Sequence, residues 1–417
     1  MFETLRSVVR FDRPALDRRA RRLRRAASVG DLRRLARRRL PRGVFDYIDG
    51  GAEDEVTLAA NTAAFRAIGF APRVLRGVGD VDTSTTLLGR SLPLPLALAP
   101  TGFSRIADAQ GELAVARAAA RSGIPYVLST LATRSIEEVA AAADGPQWFQ
   151  VYVWRDRGLV REMVERAAAN GYEALVLTVD TAVFGRRERD VRRGFSLPPA
   201  IGPSTLIDGA IHPAWTWQFV RSEPIRFANV VGAASGASGT SRASAGETAV
   251  TLADYVNAQF DPDLGWADVE WLRGIWDGPI VLKGIQTVAD ARLAATAGVD
   301  AIALSNHGGR QLDGAPAALS LVAPVVDAIG DAVEVICDGG VRRGSDIVKA
   351  VALGARACFA GRAYLYGLGA AGEPGVDHVL TLLADDVRRT MALCGARSIA
   401  ELDRSLLRAV DPVDERT

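Results

Sequence analysis

AIALSNHGG (301–309) opens with four apolar residues in a row, meets serine at 305, and then turns polar and glycine-rich. A short apolar run without alternation reads as a strand buried on both faces, the habit of parallel sheets. Seven more runs share this form: LPLALAP (94–100), IPYVLS (124–129), WFQVYV (148–153), ALVLTVD (174–180), PIVLKG (279–284), VEVICDGG (333–340) and ARACFAGR (355–362). Segments such as GELAVARAAARSG and GSDIVKAVALGA lie between them, with the amphipathic spacing of crossover helices. Eight such units closing on themselves predict an α/β fold of the (β/α)8 TIM-barrel type. An open doubly wound sheet is the rival, but its GxGxxG fingerprint is absent after the first run.

Around this body the chain divides unevenly. Residues 1–27 read as a basic arm and 28–410 as the barrel domain, which Ser28 opens by capping an N-terminal helical segment with Val29, Leu32, Leu35 and Ala36 at helical spacing. A long insertion follows strand 4, with a flexible part at about 200–265 that includes GAASGASGTSRASAGET (232–248). A lid over the catalytic face and a function-free insertion both fit it.

Charge and cysteine usage narrow the classes. Residues 1–42 hold fifteen arginines against four acidic side chains, a balance of +11; with +1 for the whole chain, the remainder carries −10. The stretch RPALDRRARRLRRAASVG (13–30) suits an anionic lipid surface or a solvated tail, and its lack of aromatics argues against nucleic acid. Three cysteines form neither an even disulfide framework nor a metal spacing, so a reducing compartment and no metal are expected. With no apolar stretch of eighteen residues and no signal peptide, the expected location is cytoplasmic, with contact at the inner face of the cell membrane.

Barrel chemistry collects where strands end. At those ends stand Thr101, Ser129, Gln150 with Tyr152, Thr178 with Asp180, Lys283, Ser305 with His307 and Arg310, Asp338, and Arg362. His307 beside Gly308 and Gly309, three residues before Arg310, suits a base next to a carboxylate clamp. Asp180 suits the second imidazole nitrogen. DGGVRRG (338–344) and AGR (360–362) combine glycine turns, helix N-termini and arginines, which fits a phosphorylated substrate or a phosphate-bearing cofactor. Lys283, one of only two lysines, suits a Schiff base or a fixed positive charge.

SNHGGRQLD, DGGVRRGSDIVKAVALGA, LTVDT…GRRERD, APTGFSR and FDYIDGGAEDE, in that family's order, resemble the FMN-dependent L-2-hydroxy acid dehydrogenases and oxidases, from about residue 28 to 405. The resemblance implies FMN over the barrel mouth and oxidation of an L-2-hydroxy acid to the 2-keto acid. His307 is then the base and Asp180 its partner. Tyr47, Arg187 and Arg310 hold the substrate carboxylate, and Tyr152 meets the substrate hydroxyl. Lys283 lies by the flavin N1/C2 carbonyl. Pro100, Thr101, Gly102, Ser129, Gln150, Thr178 and Ser305 line the ring, bordered by His307 and Gly308. Asp338, Gly339, Gly340, Arg342, Gly361 and Arg362 take the ribityl chain and phosphate. A proton taken with hydride departure and α-proton abstraction both remain open.

APTGFSR, LSTLAT and GRAYLYGL look most like actinobacterial quinone-type L-lactate dehydrogenases, so L-lactate to pyruvate with a quinone or other acceptor is the leading expectation. Glycolate oxidases carry alanine at the place of Gly102 and a tryptophan at that of Leu131, which puts oxygen reactivity and glycolate in doubt. The alternatives are an oxygen-using oxidase of glycolate, mandelate or longer acids, and a peptide-modifying relative. The resemblance also implies a homo-oligomer, a tetramer or larger.

Overall fold

The computed structural model describes residues 17–193, 202–230 and 258–410. In it the eight apolar runs are eight parallel strands closed into a barrel: β1 Leu96–Leu98, β2 Tyr126–Ser129, β3 Gln147–Val151, β4 Ala174–Thr178, β5 Ile280–Ile285, β6 Ala301–Ser305, β7 Glu334–Asp338 and β8 Ala357–Ala360. Closure is made by β8 against β1, where Cys358 pairs with Leu96. Alternate side chains divide the burial. Ala97, Val127, Val176, Val281, Ala303 and Ile336 fill the barrel interior with Trp148 and Phe359, whose rings meet edge-on at 6.3 Å. Leu96, Leu98, Leu128, Phe149 and Leu304 pack outward under the helices. Both faces of each strand are therefore dry, which is why the sequence shows no alternation.

A short hairpin, Thr85–Leu87 with Arg90–Leu92, plugs the N-terminal mouth by burying Leu87 and Leu92 in the interior cluster. The opposite mouth is left for the site.

Among the described residues a short helix, Arg18–Arg24, and three longer ones precede the barrel: α1 Val29–Arg39, α2 Arg42–Asp49 and α3 Val56–Arg66. Ser28 caps α1, its hydroxyl accepting the Asp31 N–H at 3.2 Å, and Val29, Leu32 and Ala36 face the core. The arginine-rich side of α1 stays outside, except that Arg39 reaches in to Asp108 at 2.8 Å and Arg33 to Asp49 at 2.7 Å. Of the basic arm, residues 1–16 lie outside the described part. Leu23 and Ala26 already pack on the core, and the Ala26 carbonyl accepts from His378 at 2.7 Å.

The insertion differs from a plain loop. Its low-complexity segment 232–248 lies outside the described residues, but 203–221 form a helical hairpin, α4 Pro203–Ile211 and α5 Pro213–Arg221. Each helix starts with proline at its first position, where the missing N–H costs nothing. Arg42 N–H donates to Asp208, and Trp215 donates to the Ile106 carbonyl at 2.7 Å, so the hairpin is docked beside the start of α2 and the loop after β1. Helix α6 Gly344–Ala352 joins β7 to β8, and α7 Arg362–Ala371 and α8 Glu373–Cys394 follow β8.

Candidate active site

A cavity of about 490 Å³ opens at the C-terminal ends of the strands, and residues at the end of every strand line it. Pro100, Thr101 and Gly102 follow β1; Ser129 ends β2; Gln150 and Tyr152 come from β3, and Thr178 from β4. Lys283 comes from β5, His307, Gly308 and Arg310 follow β6, Asp338, Gly339, Gly340 and Arg342 lie at β7, and Gly361 and Arg362 after β8. Tyr47, at the end of α2, and Arg187, in the loop after β4, complete the rim. Two residues expected at the site stand behind the wall instead: Asp180 and Ser305.

Both act on the lining residues from there. His307 Nδ1 lies 2.8 Å from Asp180 Oδ1. Burial opposes the ionised Asp180, but the charge and hydrogen bond of His307, and then Lys283, hold its pKa below the usual carboxylate value. Gly284 makes this seat possible. A Cβ there would lie 2.8 Å from the Asp180 Cβ, and the glycine sits at φ +115°. The Ser305 hydroxyl donates to Asp338 at 2.7 Å and accepts from Lys283 at 3.1 Å and from the His307 N–H at 3.0 Å. It joins the base turn to the lysine and has no bond left to donate to a ligand.

Lys283 also meets Asp338 at 2.9 Å. Burial works against its charge, yet Asp338 and then Asp180 outweigh it and raise its pKa above the ordinary lysine value. Of the two roles open to this lysine, the surroundings support the fixed positive charge and disfavour the neutral amine that a Schiff base requires.

The substrate end carries two cations on one ring. The guanidinium carbons of Arg187 and Arg310 stand 5.3 and 5.1 Å from the Tyr47 ring centre. Arg187 has Asp190 at 3.3 Å, whereas Arg310 donates to the carbonyls of Tyr47 and Gly50 at 2.8 and 3.1 Å. Burial first, and then the charge of Arg187, press the Arg310 pKa down. A guanidinium keeps its proton even so, so the pair amounts to positive charge that an anion would relieve. Burial raises the Tyr152 pKa and keeps it a neutral phenol.

The phosphate end is narrower than the sequence implies. The N-terminus of α6 is occupied by protein carboxylates: Asp346 accepts from the Arg342 and Arg343 N–H groups at 2.8 and 2.9 Å, and Asp386 from Gly344 at 2.8 Å. Gly361 starts α7 without a side-chain cap, which leaves that helix N-terminus as the anion-facing one. Arg362 spends three donors on the carbonyls of Ile48, Gly308 and Gly50. Its approach to Gly308 needs glycine there, since a Cβ would stand 2.6 Å from the guanidinium.

Two buried polar atoms of the lining, Gln150 Nε2 and Thr178 Oγ1, have no hydrogen-bond partner. A buried donor and hydroxyl left unpaired beside a cavity are what a polar heteroaromatic ring would satisfy. Together with the lysine charge and the uncapped α7, these residues fit FMN.

Sequence reasoning passed over Asp190, although it stands three residues after Arg187 in the quoted GRRERD. It also passed over two buried polar residues behind the site, Glu112 and Asn61. Among the described residues no cluster of potential metal ligands occurs.

Several known proteins resemble this chain along most of its length. A Mycobacterium tuberculosis (strain H37Rv) protein provisionally named L-lactate dehydrogenase is 45% identical over 99% of this chain and 97% of its own length. An L-lactate dehydrogenase of Caulobacter vibrioides (strain NA1000) is 45% identical over 91% of this chain and 97% of its own. The crystal structure of the monotopic membrane protein (S)-mandelate dehydrogenase superposes with a TM-score of 0.86 at 40% identity, covering 93% of this chain and 100% of that one. Residues 36–409 match the FMN-dependent dehydrogenase family, and the chain belongs to it, with FMN as its cofactor.

Proposed function

We propose that the protein oxidises an L-2-hydroxy acid, L-lactate first among them, to the corresponding 2-keto acid and passes the electrons to a quinone. The observation that carries this reading is the pair Arg187 and Arg310 on the Tyr47 ring, in one cavity with the His307–Asp180 couple. The two guanidiniums receive the substrate carboxylate and fix its orientation. His307, with Nδ1 held by Asp180, takes the hydroxyl proton at Nε2, and Asp180 stabilises the imidazolium. The Tyr152 phenol donates a hydrogen bond to the same hydroxyl oxygen and keeps its proton. Lys283 supplies a fixed positive field beneath the cavity. FMN, when bound, supplies the two-electron acceptor.

Leu131, Phe103, Phe184 and Phe227 give the cavity an apolar wall. This wall favours, as a second reading, acids with longer or aromatic side chains. Absorbance of the holoprotein during anaerobic addition of L-lactate, D-lactate and L-mandelate separates the readings. Fast bleaching by L-lactate supports the first, fast bleaching by L-mandelate alone the second, and bleaching by none overturns both.

Among the described residues no helix is long and apolar enough to cross a membrane. The α4–α5 hairpin nevertheless leaves Leu206, Ile207, Ile211, Trp217 and Val220 more than half exposed. Arg221 lies over the Trp217 ring at 3.8 Å, and the exposed Arg42 stands at the junction with α2. An apolar face rimmed by arginine suits the surface of an anionic bilayer, where a quinone pool is reached without crossing it. Membrane contact is thereby moved from the basic arm alone to arm and hairpin together. Co-sedimentation with phosphatidylglycerol vesicles, lost in Ile207→Glu/Trp217→Glu and weak on phosphatidylcholine, is the expected result; equal pelleting of the variant overturns it.

A further inference from the structure

His307 occupies the left-handed backbone region at φ +56°, followed by Gly308 and Gly309 at +66° and +73°. Glycine adopts this conformation freely, but a histidine there costs free energy that neighbouring structure must offset. The neighbouring structure is a pair of buried asparagines. Asn61 Nδ2 donates to Asn306 Oδ1 at 2.8 Å, and Asn306 Nδ2 donates back to Asn61 Oδ1 at 2.9 Å. Asn306 Oδ1 also accepts the Gly309 N–H at 3.0 Å, and its Nδ2 also donates to the Pro316 carbonyl at 2.9 Å. All four hydrogen-bonding positions of the Asn306 amide are thus used. Asn61 is 3% exposed and Asn306 2%, so nothing in water replaces a lost bond.

Asn61 comes from α3, outside the barrel, and touches the far side of the site as well. A Cβ on Gly340 would lie 2.1 Å from the Asn61 carbonyl, and one on Gly339 3.3 Å from its side-chain oxygen. The residues after Gly309 have separate anchors: Arg310 on Tyr47 and Gly50, and Asp313 on the N–H groups of Val56 and Thr57 at 3.1 and 2.8 Å. The amide pair therefore bears on the turn 306–309 and leaves the carboxylate clamp to other contacts.

We propose that Asn61 is a positioning residue for His307, holding the base turn through its reciprocal amide pair with Asn306 and setting that turn against the Gly339–Gly340 loop. The proposal rests on the reading of His307 as the base. No side chain of equal size replaces Asn61: aspartate keeps the acceptor and loses the donor, and leucine loses both.

The test uses the full-length FMN-loaded protein with Asn61→Ala and Asn61→Asp, the second retaining size should the first fold poorly. Amide hydrogen exchange in the 306–309 segment is expected to accelerate at least about tenfold, with the other barrel strands unchanged. Anaerobic flavin reduction by whichever hydroxy acid bleaches the wild type is expected to slow about 10- to 100-fold, with KM moving less than about threefold. Asn306→Ala added to Asn61→Ala is expected to slow it little further. Unchanged exchange at 306–309, or acceleration spread evenly over the barrel with kcat and KM moving together, overturns the proposal. A wild-type flavin that no hydroxy acid bleaches sinks the proposed function instead, and the exchange result then judges Asn61 alone.

Discussion

His307 Nδ1 lies 2.8 Å from Oδ1 of Asp180, a carboxylate whose side chain is 1% exposed. An ionised acceptor on that side assigns the imidazole proton to Nδ1, which leaves the Nε2 lone pair for a bound molecule. Asp180→Asn keeps the shape and removes the charge. Flavin reduction by L-lactate, followed by stopped flow, is expected to slow about 10²- to 10⁴-fold, and the same is expected of His307→Ala. Affinity for oxalate, which needs the clamp and not the base, is expected to hold; loss of oxalate binding by Asp180→Asn would falsify the division of labour.

Arg187 and Arg310 present planar forks rather than point charges. Replacing either by lysine keeps the charge and loses the paired geometry. The expected result for Arg310→Lys and Arg187→Lys is a KM for L-lactate raised about 10- to 100-fold, with kcat falling less. Steady-state kinetics decides it. A KM that stays put would place the carboxylate elsewhere.

Acid sensitivity should centre on Asp49. Burial works against its ionised form, but Arg33, Tyr366 and Arg189 more than offset this and bring its pKa from 3.8 down to about 2. A native pKa below the unfolded value adds stability that is complete above about pH 4 and fades as pH falls toward 2. The shift corresponds to roughly 2 kcal/mol. Urea midpoints at pH 6 and pH 3 are expected to differ less in Asp49→Asn than in the wild type. Equal differences would show that Asp49 has no part in the acid response.

Glu112 is fully buried and, among the described residues, makes no ion pair. Its carboxylate accepts from the Ser104 N–H at 3.1 Å, the Thr133 N–H at 2.9 Å and the Thr133 hydroxyl at 2.6 Å, tying the loop after β1 to the loop after β2. Phe103, next to Ser104 and facing the cavity, sits at φ +63°. Glutamine can accept both N–H groups and donate to the threonine oxygen, whereas alanine leaves them unpaired. Glu112→Ala is expected to cost about 2–4 kcal/mol and to speed FMN loss, with Glu112→Gln much milder. Chemical unfolding and flavin release on gel filtration measure both, and a glutamine variant as damaged as alanine would mean that the charge matters.

The barrel was legible because each strand's burial is written locally, as a run that needs no distant partner to be recognised. His307, Arg310 and Lys283 were legible for a related reason: each stands out against its own neighbours. The hairpin 203–221 falls in a stretch whose composition predicts flexibility, although Pro203 and Pro213 both carry the signal of a helix start. The closed N-terminus of α6 was beyond local reading, because Asp386 arrives from 42 residues away. Asn61 left a fainter trace. Thr57, Asn61 and Phe65 follow at intervals of four along α3, a buried stripe in which two members are polar.

The seat of Asp180 rests on an atom that is missing, the Cβ of residue 284. Aspartate at 180 consequently depends on glycine at 284, while the glycine is demanded by the backbone itself. A lineage that abandoned the chemistry would still need glycine at 284, because φ +115° and the residue 180 backbone N, 2.9 Å from the added Cβ, would both remain. Glycine at that position is therefore a mark of how closely the end of β4 and β5 approach, a demand of the backbone that the base then exploits.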